Sequence, residues 1–375
     1  MKRFALLLSL FIAAFAASCG GGGSSVTPPP PVGGFSNSSL KGQYAFIMTG
    51  QAPDGFIARI GSITADGNGG ITGGLELVST ASKGLQPLSF SPSTYTVQAD
   101  GRGVINLTNI TGTISFSITL TSTTAGYICQ TDGITGTSGT LTLQDTSAFT
   151  TAGVNGPFAF NASGLDPNGN VDSIVGQFAL NAGTIPTGVF DENDDTILSG
   201  PTAITNGTYL LDATNGPTVG LGQMSFGGFV YDFIIVNSKK IHLIEVPAPN
   251  SSLPVTVGTA NGQTAPPTSN ANFTGSFVFM TSGVGTQSPD FKVGRFASDG
   301  NGNLASIALD EKQLGSTIAQ VPKGSISAAK YSIDTSNAGT GRGIATFTDS
   351  SLGTYSFIFY MTNATTGVIQ DNSKG

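Results

Sequence analysis

The chain has little of what most enzymes use for chemistry. It contains one histidine, two cysteines and no tryptophan, and only 10% of its residues are charged. A metal site with several histidine ligands is therefore impossible, and a framework of disulfides is excluded. The net charge is −7 and no basic stripe is present, which argues against binding to nucleic acid or to an anionic membrane surface.

Glycine and aromatic residues are abundant instead. The chain has 53 glycines and 24 phenylalanines, and 38% of its residues are hydrophobic. This is enough apolar surface to form a core, so a disordered chain is not expected. Many turn residues together with many β-branched residues are typical of all-β extracellular domains, which predicts an all-β fold.

The N-terminus has the features of an exported protein. Residues 1–18 form a predicted signal peptide, because a basic start precedes an apolar run that is too short for a membrane-spanning helix. Small residues before Cys19 resemble the lipobox of bacterial lipoproteins, which implies lipidation of Cys19; ordinary secretory cleavage is the alternative. Residues 19–39 then form the lipid anchor and a Gly/Pro-rich stalk. Gly20 stands where an Asp would resemble an inner-membrane retention signal, so the resemblance to lipoproteins favours the outer membrane, on its periplasmic or its surface side.

One motif, Gly-x-(Tyr/Phe)-x-Phe, occurs three times, beginning at Gly42, Gly156 and Gly275. The spacing is that of a whole domain rather than of a solenoid unit. The third copy stops before any equivalent of the strand at 140–144, so we expect it to lack its last strand, as a truncated or an open sheet. The predicted units are β repeats at 40–150, 156–263 and 273–375, with a linker at 264–272.

Period-two patterns predict antiparallel strands within each repeat. Residues 114–120 alternate strictly between apolar and hydroxyl side chains, which points Phe116 inward and Ser117 outward. Asp-Gly turns such as that at Asp66 separate the strands, as in hairpins. About eight sequential strands per repeat favour an eight-stranded up-and-down barrel, which has no free edges. Two-sheet, immunoglobulin-like sandwiches are the alternative.

Two single residues are candidates for chemistry. His242 lies in the strand-like run after Lys239 and Lys240, and without partners at a recognisable spacing we interpret it as a solvent-facing or hydrogen-bonded strand residue. Cys129 has no histidine in its own repeat to activate it, so we interpret it as a packed or half-exposed structural thiol. Neither residue predicts a catalytic site.

Residues 166–172 and 299–303 have oxygen side chains two positions apart, which is the spacing of calcium loops. Turn chemistry explains the same residues, because Asp, Asn and Gly tolerate positive φ. Residues 191–195 form a denser acidic cluster that only the second repeat has, and we interpret it as a solvated loop, with a cation site as the alternative. The calcium candidates are Asp166, Asn168, Asn170, Asp172, Asp191, Asp194 and Asp195.

Some features are shared by two repeats only. Arg102 and Arg342 each lie between glycines, whereas the second repeat has Leu221 at that place. The glycines recur and the arginine does not, so the pattern favours a backbone requirement over an anion site. Asp66 and Asp299 both begin Asp-Gly-Asn-Gly, which no Gly-Lys-Ser/Thr follows and which is therefore not a phosphate loop.

Taken together, these motifs are similar to those of a group of repeat-bearing lipoproteins of environmental bacteria. The resemblance implies the fold and the cell-envelope location, and it brings no activity. We expect a protein without catalysis or cofactor that displays β domains to a surface partner and is tied to the membrane by its lipid. A carrier of a small apolar ligand inside the barrels is the alternative, followed by a hydrolase or an accessory domain of one. Aromatic residues at inward positions favour filled interiors over a carrier; they are Phe46, Phe116, Phe160, Phe233, Phe279 and Phe357.

Overall fold

The computed structural model describes residues 34–80, 82–165, 170–194, 197–247, 255–284, 289–313 and 317–373. The fold is almost entirely antiparallel β, with 68% strand and 4% helix, as predicted. The short helical pieces are three 3₁₀ turns at Asn37–Ser39, Thr146–Ala148 and Asn270–Asn272, and α1 at Gly216–Val219.

The first repeat forms a closed barrel of eight antiparallel strands, as expected. The ring runs β1-β2-β3-β5-β6-β7-β8-β9 and returns to β1, while β4 pairs with β3 outside it. Closure leaves the ring strands without free edges. The strands are β1 (Lys41–Ala52), β2 (Gly55–Asp66), β3 (Gly70–Thr80), β4 (Gly84–Ser89), β5 (Ser91–Val97), β6 (Arg102–Asn109), β7 (Gly112–Leu120), β8 (Ala125–Gln130) and β9 (Gly136–Leu143).

The second repeat differs from the expected eight strands. It forms a nearly closed barrel of ten, in the order β12-β15-β16-β17-β18-β19-β10-β11-β13-β14, with a two-residue β12 at one edge. The strands are β10 (Gly156–Leu165), β11 (Val171–Leu180), β12 (Thr184–Ile185), β13 (Gly188–Asp194), β14 (Ile197–Ile204), β15 (Gly207–Leu211), β16 (Leu221–Phe226), β17 (Phe229–Asn237), β18 (Lys240–Glu245) and β19 (Val255–Gly262).

The third repeat forms two four-stranded sheets around one core rather than a closed ring. One sheet has the order β20-β21-β22-β23 and the other β24-β25-β26-β27. In the described residues no strand lies between β20 and β27. The strands are β20 (Thr274–Val284), β21 (Pro289–Asp299), β22 (Leu304–Gln313), β23 (Ala319–Val321), β24 (Ile326–Ile333), β25 (Arg342–Asp349), β26 (Gly353–Met361) and β27 (Gly367–Asp371).

The recurring glycines and aromatics pack on each other inside the repeats. Phe46 lies over Gly61 of the neighbouring strand, where a Cβ would come 2.4 Å from the ring. The same contact occurs between Phe160 and Gly176, and between Phe279 and Gly294. A bare glycine lets the ring cover the backbone of the strand. The motif is therefore a packing signature, and the six inward aromatics predicted above all lie in or against hydrophobic cores.

One tyrosine in each repeat ties the barrel to the segment that enters it. The hydroxyl of Tyr95 donates to the carbonyl of Leu40 at 2.7 Å. Tyr209 donates to Val154 at 3.0 Å and Tyr331 to Phe273 at 2.9 Å. A buried tyrosine needs such an acceptor for its hydroxyl. These bonds fix where each repeat begins relative to its own core.

Candidate functional site at the joints between the repeats

Several of the residues predicted from the sequence lie outside the described residues. Cys19, Asp166, Asn168 and Asp195 are among them. Of the other calcium candidates, Asp172 is buried on β11, and Asp194 is exposed at the end of β13 opposite it. No group of three or more acidic, histidine or cysteine side chains that could hold a metal occurs in the described part of the chain.

The two Asp-Gly-Asn-Gly segments are hairpin turns held by their aspartates. The backbone N–H groups of Asn68 and Gly70 donate to Oδ1 of Asp66 at 2.7 and 2.9 Å. Asp299 accepts in the same way from Asn301 and Asn303. These hydrogen bonds to the charged form lower the pKa of Asp66. Turn chemistry accounts for the oxygen spacing here.

His242 and Cys129 lie in different repeats and differ in their exposure to solvent. His242 is fully buried on the outer face of β18, with Nδ1 3.2 Å from Oγ1 of Thr259. Burial, together with the charge of Lys240, lowers the pKa of His242 to about 3. Cys129 is an exposed free thiol on β8, not the packed or half-exposed one expected, because its side chain points to the outer face of the barrel. It lines a depression of about 380 Å³ together with side chains such as Tyr127. His242 is thus a hydrogen-bonded strand residue and not a solvent-facing one, which were the two alternatives that the sequence left open.

The outer face of the first barrel packs against the second. Ala58 and Ile60 on β2 and Leu77 on β3 share one apolar cluster with Leu221 and Ile234 of β16 and β17. All five residues are nearly inaccessible to solvent. Outward-facing apolar residues of one barrel thus form a second, smaller core with its neighbour.

The second and third repeats meet through the same two faces. Ala159 and Val175, which stand on β10 and β11 where Ala45 and Ile60 stand in the first repeat, cluster with Ile358 and Tyr360 of β26. Tyr360 of β26 lies opposite Arg342 of β25 in the sheet, just as Ile234 of β17 lies opposite Leu221 of β16 in the second repeat. The joint is therefore repeated. The face around β1 and β2 packs against the face around β16 and β17, and the face around the matching strands β10 and β11 packs against the face around β25 and β26.

A glutamine at the end of each of the first two repeats binds the next repeat. Nε2 of Gln144, directly after β9, donates to the carbonyl of Val219 at 3.2 Å and to that of Ile235. Nε2 of Gln263, directly after β19, donates to the carbonyls of Thr340 and Met361 at 2.8 and 2.7 Å. The four carbonyls occupy matching places in the two joints. Each glutamine side chain thus satisfies backbone acceptors that the neighbouring repeat leaves at its surface.

The second joint contains a buried ion pair. Nε and Nη2 of Arg342 donate to the two carboxylate oxygens of Asp191 at 2.8 and 2.7 Å. The hydroxyl of Tyr360 donates to the same carboxylate at 2.7 Å, and Asp334 accepts from Nη1 of Arg342. Burial acts to lower the pKa of Arg342, and the carboxylates of Asp191 and Asp334 outweigh it and raise that pKa. Two such oxygens facing a guanidinium give a planar, bidentate contact.

This pair corrects two interpretations of the sequence. Asp191 does not lie in a solvated loop: it is 1% exposed, in a strand. Arg342 does not mark a backbone requirement alone, because its side chain binds an anion. The first joint has Leu77 and Leu221 at the places of Asp191 and Arg342. Reading each repeat alone missed the pair, because its partners belong to different repeats.

Charged side chains also lie inside two of the repeats. Arg59 pairs with buried Glu76 at 2.6 Å in the first barrel. In the third repeat Lys292 contacts Asp290, lies 3.1 Å from Glu311 and lies 2.7 Å from Asp371. Burial acts to lower the pKa of Lys292, and the carboxylates, Asp371 first, outweigh it and raise that pKa. A lysine held protonated in this way is not a nucleophile.

Comparison of the chain with protein-family models, with curated proteins and with solved structures gives no match. Within the described ranges, no helix has the length and apolar character needed to cross a membrane.

Proposed function

We propose that the protein is a cell-envelope lipoprotein that displays three β domains as one stiff array, for binding or a structural role and without catalysis. The observation that carries this proposal is the repeated joint, in which Gln144 and Gln263 make the same bonds and the same faces meet. Domains joined by loose linkers would not bury matching surfaces. A stiff array places its far end at a fixed distance from its anchor.

The interiors support display over carriage of a ligand. Aromatic side chains such as Phe116 and Phe233 fill the first two cores and are at most 1% exposed. The charged groups inside the first and third repeats are paired with each other. A ligand-binding barrel needs an open cavity with a few convergent polar groups.

The anchor is tested by its cysteine. Cys19→Ala removes the thiol that would carry the lipid, so the variant should move from the membrane fraction to the soluble fraction. Partitioning is measured by immunoblotting after cell fractionation, with Cys129→Ala as the matched cysteine control. A Cys19→Ala protein that remains in the membrane fraction would contradict the proposed anchor.

The absence of catalysis is tested on the purified full chain. We expect no turnover of ester, peptide or glycoside substrates. Robust hydrolysis that disappears in one acidic variant, such as Glu245→Gln, would overturn the proposal. Glu245 is the sharpest choice because it is buried beside Thr256 and burial raises its pKa, as in a carboxylic acid that can donate a proton.

A further inference from the structure

Each joint brings together two different faces, which we call the head face and the tail face. The head face lies around β1 and β2 in the first repeat and around β10 and β11 in the second, and the tail face lies around β16 and β17 in the second repeat and around β25 and β26 in the third. The matching strands carry a further head face on the third repeat, at β20, β21 and β22, and a further tail face on the first, at β6, β7 and β8. We propose that this head face binds this tail face of a second copy of the chain.

The head face of the third repeat has a carboxylate at the place of Asp191. Asp191 lies opposite Val175 in its sheet, and Asp310 lies opposite Val293 in the same way. The two valines are equivalent, because each directly precedes the glycine that a phenylalanine ring covers. Asp310 is exposed, whereas Asp191 is buried against Arg342 of the neighbouring repeat. The third repeat thus has the acidic half of the pair that holds the second joint.

The tail face of the first repeat has the basic half. Arg102 directly follows a glycine whose carbonyl accepts a backbone N–H from β7, and Arg342 follows one that accepts from β26 in the same way. Arg342 has two acidic partners, Asp334 in its own repeat and Asp191 in the neighbouring one. Arg102 lies 2.6 Å from Asp100 of its own repeat, and its side chain is 70% exposed. A carboxylate from a second copy would supply the other partner.

The head face of the third repeat projects larger apolar side chains than the head faces that are already covered. Val278 and Phe291 stand where the first repeat has Ala45 and Ala58. They are 86% and 53% exposed, whereas both alanines are buried. An exposed apolar face of this kind marks an interaction site.

The tail face of the first repeat has the complementary shape. Thr119 and Ser138 stand where the second repeat has Ile234 and Val257, which are buried in the first joint. Both smaller side chains line the depression of about 380 Å³ described above. Larger groups on the head face would therefore meet a depression on the tail face, so the loss of volume on one side offsets the gain on the other.

A second copy is the partner that offers all of these features at once. Within one chain the second repeat packs between the first and the third, so Arg102 and Asp310 belong to opposite flanks of the array. The proposed contact repeats a joint that the chain already makes twice. Its two faces differ, so copies would add head to tail into rings or open chains.

The test is sedimentation velocity of the purified full chain between about 1 μM and 1 mM. We expect the wild type to associate as its concentration rises. Arg102→Asp and Asp310→Arg each place like charges in the contact, so each variant alone should associate about tenfold more weakly or worse. Lys83→Asp, in an exposed turn between β3 and β4, makes the same change of charge as Arg102→Asp and should associate as the wild type does. A wild type that stays monomeric, or an Arg102→Asp chain that associates as the wild type does, would overturn the proposal.

A mixture of the two variants shows whether the contact lies between copies. The tail face of Arg102→Asp and the head face of Asp310→Arg carry opposite charges again, and the other two faces are those of the wild type. An equimolar mixture should therefore associate more strongly than either variant alone. A mixture that associates no better than its components would contradict the pairing of Arg102 with Asp310.

Val278→Asp tests the apolar part of the contact. Its side chain is largely exposed, so the variant should fold, which circular dichroism checks, and should associate about tenfold more weakly or worse because a charge would be buried in the contact. Ile197→Asp, 69% exposed on β14 and outside both faces, is the matched control. Unchanged association of Val278→Asp would contradict the proposed head face. The inference extends the proposed structural role, yet its failure would leave the membrane partitioning of Cys19→Ala unchanged, so the two failures are distinguishable.

Discussion

His242 shows how burial at a joint changes the chemistry of one residue. Its ring lies on the face of β18 that approaches the first barrel, and Nε2 has no hydrogen-bond partner among the described residues. The proton is excluded because a charged ring would be taken out of water with one weak acceptor beside it. His242 is thus neutral in the folded chain even at pH values well below the ordinary pKa of histidine.

The free energy of unfolding should fall as the pH falls from 6.5 towards about 3, because the unfolded chain binds a proton that folded His242 excludes. The contribution is at most about 1.4 kcal/mol per pH unit. His242→Val, the residue at the matching place in the third repeat, should remove it. The measurement is urea denaturation at several pH values. Wild-type and variant curves with the same pH dependence would contradict the assignment.

Two leucines, which the first joint has at these places, should be able to replace the ion pair at the second joint. Asp191→Leu alone leaves Arg342 buried with its main partner gone, and should cost about 3–5 kcal/mol. Asp191→Leu with Arg342→Leu should recover most of that loss, since Leu77 and Leu221 already pack at these places. Chemical denaturation of both variants checks this. A double variant as unstable as the single one would show that the pair has no apolar equivalent.

Sequence reasoning located turn residues well and joint residues poorly. The turn role of Asp66 can be predicted because its hydrogen-bond partners, Asn68 and Gly70, are close to it in the chain. The ion pair of Arg342 cannot be predicted in this way, because its partner Asp191 lies 151 residues away in the chain. A signal was present: an acidic cluster found only in the second repeat, and an arginine where that repeat has leucine. Pairing the two required knowing which faces meet.

At the scale of the strand, β7 was the clearest prediction. Phe116 is 1% exposed and lies in the core of the first barrel, as its alternation indicated. Asp191 was the poorest, because it lies in the strand β13 and not in a loop. Aspartate is depleted in strands, and only pairing across the joint makes it acceptable there. Local pattern therefore predicts strands whose partners are local.

Phe116→Ala should cost about 3–5 kcal/mol, because it leaves a cavity in a packed core. Ser117→Ala, on the opposite face of the same strand, should be nearly neutral. Thermal or urea unfolding of the two variants gives the comparison. Equal losses would mean that β7 presents the other face to the core.

At the scale of the whole molecule, the joints decide the arrangement. Gln144 reaches carbonyls 75 and 91 residues away, and Gln263 reaches carbonyls 77 and 98 residues away. The repeats themselves were readable from the motif at Gly42, Gly156 and Gly275. How they face each other could not be predicted, because a recurring residue such as Gln144 or Gln263 does not show in the sequence which surface of the next repeat it contacts.

Replacing both glutamines by alanine should loosen the array. Gln144→Ala with Gln263→Ala leaves buried carbonyls without donors, at about 1–3 kcal/mol for each joint. Small-angle X-ray scattering should then show a larger and broader range of particle sizes. Gln223→Ala is the control, since that side chain bonds Asp232 at the surface. Identical scattering from all three proteins would argue that the apolar faces alone hold the joints.

Because the joints are head-to-tail, the three repeats should unfold in a defined order on heating. The second repeat offers one face to each neighbour, whereas the first and third repeats each use one face in the described contacts. In arrays with nearest-neighbour coupling, stability is a sum of unit and interface contributions. Heat should therefore open the flanking repeats first and the second repeat last. The chain would lose its order inwards from its flanks, in steps rather than in one transition.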